Sequence, residues 1–370
     1  MPAGVPGGPS REISLAPETS ARRPQECGRG RHECLRHVVS TTCAKVPGEC
    51  RHGTQSACAT SSPATLEQMS ESGPAAYRRF SRTAWGVLAY NMLVVLWGAF
   101  VRATGSGAGC GSRWPLCNGV MVPRAPRVET IIEFTHRATS GLALASAGAL
   151  CVWAFRLFPH GHRARTCATL SVVFLFAEAL LGAGLVLFQY VEHNASAGRA
   201  AYLSAHLVNT QVLLAMLALT AWFGSGPVSR SWRGAPKAVV AALPVAIVVA
   251  VSGAIAALGD TLFPAVSVAS GMRREFSATA NVLERLRVVH PVLAVAGGVV
   301  LLAAALTAMR SGSAPAGRMG TRLAALVFVQ LAAGALNIAL LAPVWMQILH
   351  LLLADLIWIA LVVITLETGH

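Results

Sequence analysis

The sequence predicts an all-α integral membrane protein whose eight transmembrane helices form two tandem, pseudo-symmetric four-helix bundles. Three observations carry that expectation. Of the 370 residues, 54% are hydrophobic and only 12% charged, against about 25% charged in soluble domains. Eight apolar runs reach or approach the length a bilayer requires, about 20 residues per helix. The polar residues inside those runs recur in the same order in the two halves of the chain, the mark of an internal duplication.

Residues 1–77 carry no spanning run and are rich in Pro, Gly, Ser, Thr and Arg, so disorder is the expectation. The stretch lacks the apolar core of a secretory signal, and Glu12, Glu18, Glu26, Glu33, Glu49 and Glu67 weigh against a transit peptide. Met69, just before the first run, is a second candidate start. Cys27, Cys34, Cys43, Cys50 and Cys58, with His32, His37 and His52 among them, lack the short chelate spacing of structural zinc sites. No metal role is expected there.

The spanning runs are read at 84–103, 132–157, 166–190, 201–223, 238–258, 288–309, 323–341 and 344–365. The net charge of +14 comes from Lys and Arg at helix ends and in short loops, which is topogenic charge and not a nucleic-acid surface. Arg78, Arg79 and Arg82, Arg163 and Arg165, Arg230, Arg233 and Lys237, and Arg310, Arg318 and Arg322 mark the expected cytoplasmic side. The opposite loops are longer and mix arginines with Glu129, Glu192, Asp260, Glu275 and Glu284. The N-terminus is therefore expected in the cytoplasm, with residues 78–224 as the first bundle, 225–237 as a cytoplasmic linker and 238–370 as the second bundle. High Ala, Gly and Arg content points to a bacterial plasma membrane, with a mitochondrial inner membrane as the alternative.

The duplication pairs Gly98-Ala99 with Gly253-Ala254, His136 with His290, Glu178 and Gly182 with Gln330 and Gly334, and His206 with His350. With an even number of helices in each half, both halves insert in one orientation, a parallel repeat about the membrane normal. The four histidines then share one depth near the outer end of the even-numbered helices, where an unpaired polar ring is costly. Two histidines facing each other inside a bundle can supply both axial positions of a haem iron. Zinc, which takes three or four ligands at one point, suits a two-and-two arrangement poorly. The plain alternative, four separately satisfied core histidines, fails to explain why all four stand at matching repeat positions.

Glu133 lies three residues before His136 and on the same face of its helix. It is read either as a proton-handling acid beside a haem edge or as a partner of Arg137. The equivalent position before His290 is Arg287, an asymmetry suggesting a reacting group in one bundle and an electron-transfer group in the other. Cys110 and Cys117, in the first outer loop, stand close enough to close a disulfide, as a staple or as a redox pair. Cys151 and Cys167 are read as small apolar fillers. Glu178 and Gln330 are read as interhelical hydrogen bonders; Asn337 and Asp355 are further polar residues in apolar helices, and Asp355 is assigned no role.

The run from Gly98 through Val101-Arg102-Ala103-Thr104-Gly105-Ser106-Gly107 to Cys110, followed by Trp114-Pro115-Leu116-Cys117 and Gly119, resembles the haem A synthases. Glu133 to Arg137, His206-Leu207-Val208-Asn209 and Gln347 to Leu356 extend the resemblance, which covers roughly residues 84–367. It implies an oxidoreductase that converts the C8 methyl group of haem O to a formyl group, making haem A for cytochrome oxidase. On that resemblance His136 and His206 ligate the substrate haem O with Glu133 as the essential acid, His290 and His350 ligate a haem b cofactor, and Cys110 and Cys117 form a disulfide. Its candidate protein partners are a haem O synthase, cytochrome oxidase assembly factors and a second copy of the chain, in a lipid surround with no nucleic acid. Two departures from the family pattern stand out: Pro291 follows His290 where arginine is frequent, and the loop between the fifth and sixth helices has no cysteine pair. The rival readings are a non-enzymatic di-haem electron carrier and a haem transporter.

Overall fold

The computed structural model describes residues 63–226 and 234–369, with side chains from residue 73 onward. The segment holding the five N-terminal cysteines and part of the 225–237 linker lie outside the described residues. The helices are α1 (Pro63–Ala103), α2 (Val128–Leu157), α3 (Arg163–Leu187), α4 (Ala197–Phe223) and α5 (Lys237–Leu262). There follow α6 (Val268–Glu275), α7 (Val282–Arg287), α8 (Val289–Met309), α9 (Ala314–Ala339) and α10 (Val344–Glu367). The described residues form no β-strand beyond an isolated bridge between Cys117 and Val120. Eight helices are long and apolar enough to cross a membrane, α7 and α8 counting together as one. The chain is a multi-pass membrane protein, because in hydrocarbon only a helix satisfies every backbone group within one segment.

Several boundaries differ from the sequence reading. Helix α1 begins at Pro63, so the segment 63–77, Met69 included, is helical where disorder was expected. Tyr190 lies beyond α3, which ends at Leu187. The loop before the sixth span contains α6 and α7, each opened by a capping box, Ser267 with Ser270 and Asn281 with Glu284. The break between α7 and α8 has a covalent cause. Pro291 has no N–H for the carbonyl of Arg287, and its ring crowds that carbonyl.

Neighbour relations follow the chain order. Helix α1 packs on α2 and α4, and α3 packs on both α2 and α4, closing one ring. A second ring closes through α5, α8, α9 and α10. Below the histidines each ring has an apolar core: Leu88, Met92, Ala143, Ala147, Leu175 and Leu213 in the first, and Ala242, Leu301, Ala304, Val327 and Leu361 in the second. Helix α10 also touches α1 and α4, and Ile357 through Leu366 are buried along its length, as expected of a helix apolar on all sides.

Between the rings lies one buried carboxyl group. Asp355 is fully buried, and its Oδ1 accepts from Gln211 Nε2 at 3.1 Å, while Trp358 Nε1 donates to the Gln211 carbonyl at 2.7 Å. Asp355 thus joins α10 to α4. Gln211→Leu removes the donor that the described residues offer that carboxyl, and the expected loss is about 1–3 kcal/mol, read as a lower unfolding temperature in detergent; an unchanged temperature would show that the pair carries no stability.

Candidate functional site

Each of the four sequence-paired histidines faces a glycine on the preceding spanning helix. A β-carbon placed on Gly98 would stand 2.9 Å from His136 Cε1, and one on Gly253 would stand 2.9 Å from His290 Cε1. The same construction on Gly334 reaches His350 Cε1 at 3.1 Å, and on Gly182 it reaches His206 Nε2 at 3.9 Å. The glycines are spaces for imidazole rings. The repeat read in the sequence is therefore a repeat of contacts, Gly on one helix against His on the next, four times over.

The surroundings of the rings orient them. Ser252 Oγ lies 2.9 Å from His290 Nδ1, and Glu178 Oε1 stands 3.2 Å from His206 Nδ1. An acceptor that holds the proton on Nδ1 leaves Nε2 with its lone pair, the form that ligates a metal. His136 Nδ1, His206 Nδ1 and His350 Nδ1 are buried and make no hydrogen bond, Glu178 standing beside His206 without one. His136 lies within electrostatic reach of His206 and Glu178. In the second ring the His290 and His350 imidazole centroids are 6.3 Å apart with their planes at 87°. Two imidazoles bound to one metal at about 2 Å each have centroids about 6 Å apart, so the pair fits an iron between them. Among the described residues no three His, Cys, Asp or Glu side chains cluster around one point.

Glu178 and Gln330 both bond across helices, as their matching positions suggested. Glu178 accepts from Asn209 Nδ2 and from Thr210 Oγ1, and Gln330 Nε2 lies 3.2 Å from His350 Nε2. Asn337 Oδ1 is buried without a partner. Cys167 is buried, as a filler should be, while Cys151 is half-buried with Sγ 3.7 Å from Thr169 Oγ1.

Glu133 fastens the loop above the first ring. It is buried, Oε2 accepts from the Cys110 backbone N–H at 2.7 Å, and Oε1 pairs with Arg137. Arg137 Nη1 in turn donates to the carbonyls of Arg113 and Leu116, each at 2.9 Å. Cys110 and Cys117 are disulfide-bonded, and Thr130 Oγ1 donates to Gly109 O at 2.8 Å. A β-carbon on Gly109 would run into the Glu129 backbone, which is why the loop approaches α2 so closely. The pairing of Glu133 with Arg137 is present in the structure.

Arg287 does the same for the second ring with the opposite charge. It pairs with Asp260 at 3.2 Å and with Glu275 at 3.1 Å, and donates to Phe263 O at 3.1 Å. Glu284 pairs with Arg274 at 2.9 Å, and Arg285 donates to the carbonyls of Ser277 and Ala278. The residue three before the histidine thus latches an overlying loop in both halves. The asymmetry read in the sequence is one of charge within a common mechanical task.

Comparison with known proteins agrees with this arrangement. A family model described as "Cytochrome oxidase assembly protein" (COX15-CtaA) matches residues 81–362. The chain belongs to this family. The match encloses all four histidines, Glu133 and both bonded cysteines, and it bears out the resemblance to the haem A synthases. Two relatives named "Protoheme IX farnesyltransferase", from two strains of Thermus thermophilus, are 51% identical over 291 residues, which is 78% of this chain and 48% of each relative. "Heme A synthase" of Bacillus cereus is 48% identical over 97 residues, 26% of this chain and 31% of that relative. The chain spans about half the length of the Thermus relatives and less of the Bacillus ones.

In this chain, sequence reasoning missed Ser252, Gln211, Arg199 and the role of Arg102. Ser252 adjoins the repeated Gly253-Ala254, so the repeat did flag its position. The others act across helix pairs far apart in sequence, and no spacing rule connects Arg102 to Gln347. For the histidine–glycine contacts the expected result is direct: Gly253→Val should displace His290 and weaken haem binding at least tenfold, about 1.4 kcal/mol. Titration of the variant followed by its absorption spectrum checks it; native affinity would mean the ring has room to spare.

Proposed function

We propose that the chain is a haem A synthase, an oxidoreductase that converts the C8 methyl group of haem O to a formyl group. The observation that carries the reading is the fourfold histidine–glycine contact, two histidines per ring. His136 and His206 are the residues to hold the substrate haem O, with Glu133 beside them as the acid. His290 and His350 are the residues to hold a haem b cofactor, which when bound supplies one-electron transfer. Residues 78–224 form the substrate bundle, and residues 238–370 the cofactor bundle. Ser252 orients His290 through its Nδ1, Glu178 stands beside His206, and the Cys110–Cys117 loop covers the first site against water. The resulting haem A supplies cytochrome oxidase, which accords with the family's description. A bacterial plasma membrane with a cytoplasmic N-terminus suits the distribution of basic residues.

The name of the Thermus relatives suggests a second reading, prenyl transfer to protohaem. The chain corresponds to less than half of those proteins, and the paired histidines favour the first reading. Both are tested in one host. The full chain is expressed in a bacterium that makes neither haem O nor haem A, with and without a haem O synthase, and the extracted haems are separated by chromatography with mass detection. Haem A formed only when both proteins are present supports the proposal. Haem O formed by the chain alone would support prenyl transfer, and haem b alone in both cultures would support a carrier or transporter.

A further inference from the structure

Arg102 belongs to the run that carries the family resemblance, yet it touches neither histidine of its own ring. It reaches from α1 into the second ring: Nη1 donates to Ala257 O at 2.9 Å and to Thr261 Oγ1 at 3.0 Å, and Nη2 donates to Gln347 Oε1 at 2.9 Å. Ala257 is one turn past Gly253, which faces His290, and Gln347 is one turn before His350. Arg102 therefore stands about one helical turn, roughly 5 Å, from the level of the second histidine pair, on the side of the loops. All three acceptors are neutral. Of its five N–H groups, three are used in these bonds, all on Nη1 and Nη2.

Two charges lie within electrostatic reach of Arg102, one of each sign. Arg199 is only 4% exposed, donates through Nη1 to the carbonyls of Glu192 and Asn194, and has an unpartnered buried Nε. Asp260 is paired with Arg287. Two guanidinium groups close together in an apolar surround repel each other unless an anion joins them. At the other end of the ring the lining is Leu301, Val327, Leu361 and Ile364, where an ionised group has no partner.

We propose that Arg102, supported by Arg199, receives the ionised propionate carboxylates of the tetrapyrrole held between His290 and His350. The proposal rests on the haem-binding reading above. Arg102 is a positioning residue: the first half of the chain fixes the charged edge of a ligand that the second half ligates, so each ring is incomplete without the other. A guanidinium suits the task because its planar fork matches a carboxylate.

The test uses the full chain freed of haem and titrated with ferric protoporphyrin IX and with its dimethyl ester, read by the shift of the main absorption band. The native chain is expected to bind the diacid at least tenfold tighter than the diester, with the spectrum of bis-histidine iron in both. Arg102→Gln should erase most of that preference while keeping the spectrum, and Arg102→Lys should restore part of it. Equal native affinity for the two compounds overturns the proposal, even if the Gln variant fails to fold, and so does an unchanged preference in a folded Arg102→Gln chain. A native chain that never gives the bis-histidine spectrum overturns the haem reading and this proposal with it. Arg102 acting only as a strap between helices would alter stability and leave the diacid-to-diester ratio intact.

Discussion

His290→Ala and His350→Ala are each expected to abolish the low-spin spectrum of haem b, while the haem bound between His136 and His206 persists. The two imidazole centroids are 6.3 Å apart, and each variant would remove one of the two residues that would hold the haem. His290 contacts Ser252 and His350 contacts Gln330. The measurement is the absorption spectrum of each purified variant with the bound haem counted by extraction. Retention of one normal low-spin haem b in both variants would sink the assignment of the second ring.

Glu133→Ala is expected to keep both haems and to stop haem A formation. Two structural losses accompany the substitution. The Cys110 N–H loses its acceptor, and Arg137, whose side chain is 13% exposed, loses its counter-charge. Breaking a buried pair by removing one partner costs about 3–5 kcal/mol, here localised to the loop over the first ring, so the loop should become sensitive to protease. Glu133→Gln separates the mechanical part from the chemical part. The amide oxygen still accepts from Cys110 N–H and so keeps that half of the latch, while the amide NH2 cannot accept from Arg137 and the group cannot carry a proton as a carboxylate does. An intact loop with no product assigns Glu133 to proton handling; restored product would make it a latch alone. Unchanged haem A production in Glu133→Ala would remove it from the mechanism altogether.

Arg287 gives the comparison its control. It occupies the same offset before its histidine as Glu133 and fastens the α6–α7 loop through Asp260 and Glu275. The residue three before the histidine is thus an acid in the first ring and an arginine in the second, whereas a latch is common to both.

The sequence by itself determined the eight spans, the duplication and the four histidines, because each is a local pattern. Spans follow from runs of apolar residues, and the duplication from order preserved between halves. It also marked Gly98, Gly182, Gly253 and Gly334, though only as matching letters. The tertiary structure decided what those glycines do, since a missing side chain has meaning only when a neighbouring helix brings a ring within about 3 Å of it. It likewise placed the Glu133 carboxylate against the Cys110 backbone N–H and Arg137. The start of α1 and the helices α6 and α7 escaped the pattern because they are not apolar runs; α6 and α7 open on capping boxes and carry ion pairs. Arg102 and the Gln211–Asp355 pair join residues 245 and 144 positions apart. Such contacts are fixed by how the rings pack, and packing is a property of all eight helices together.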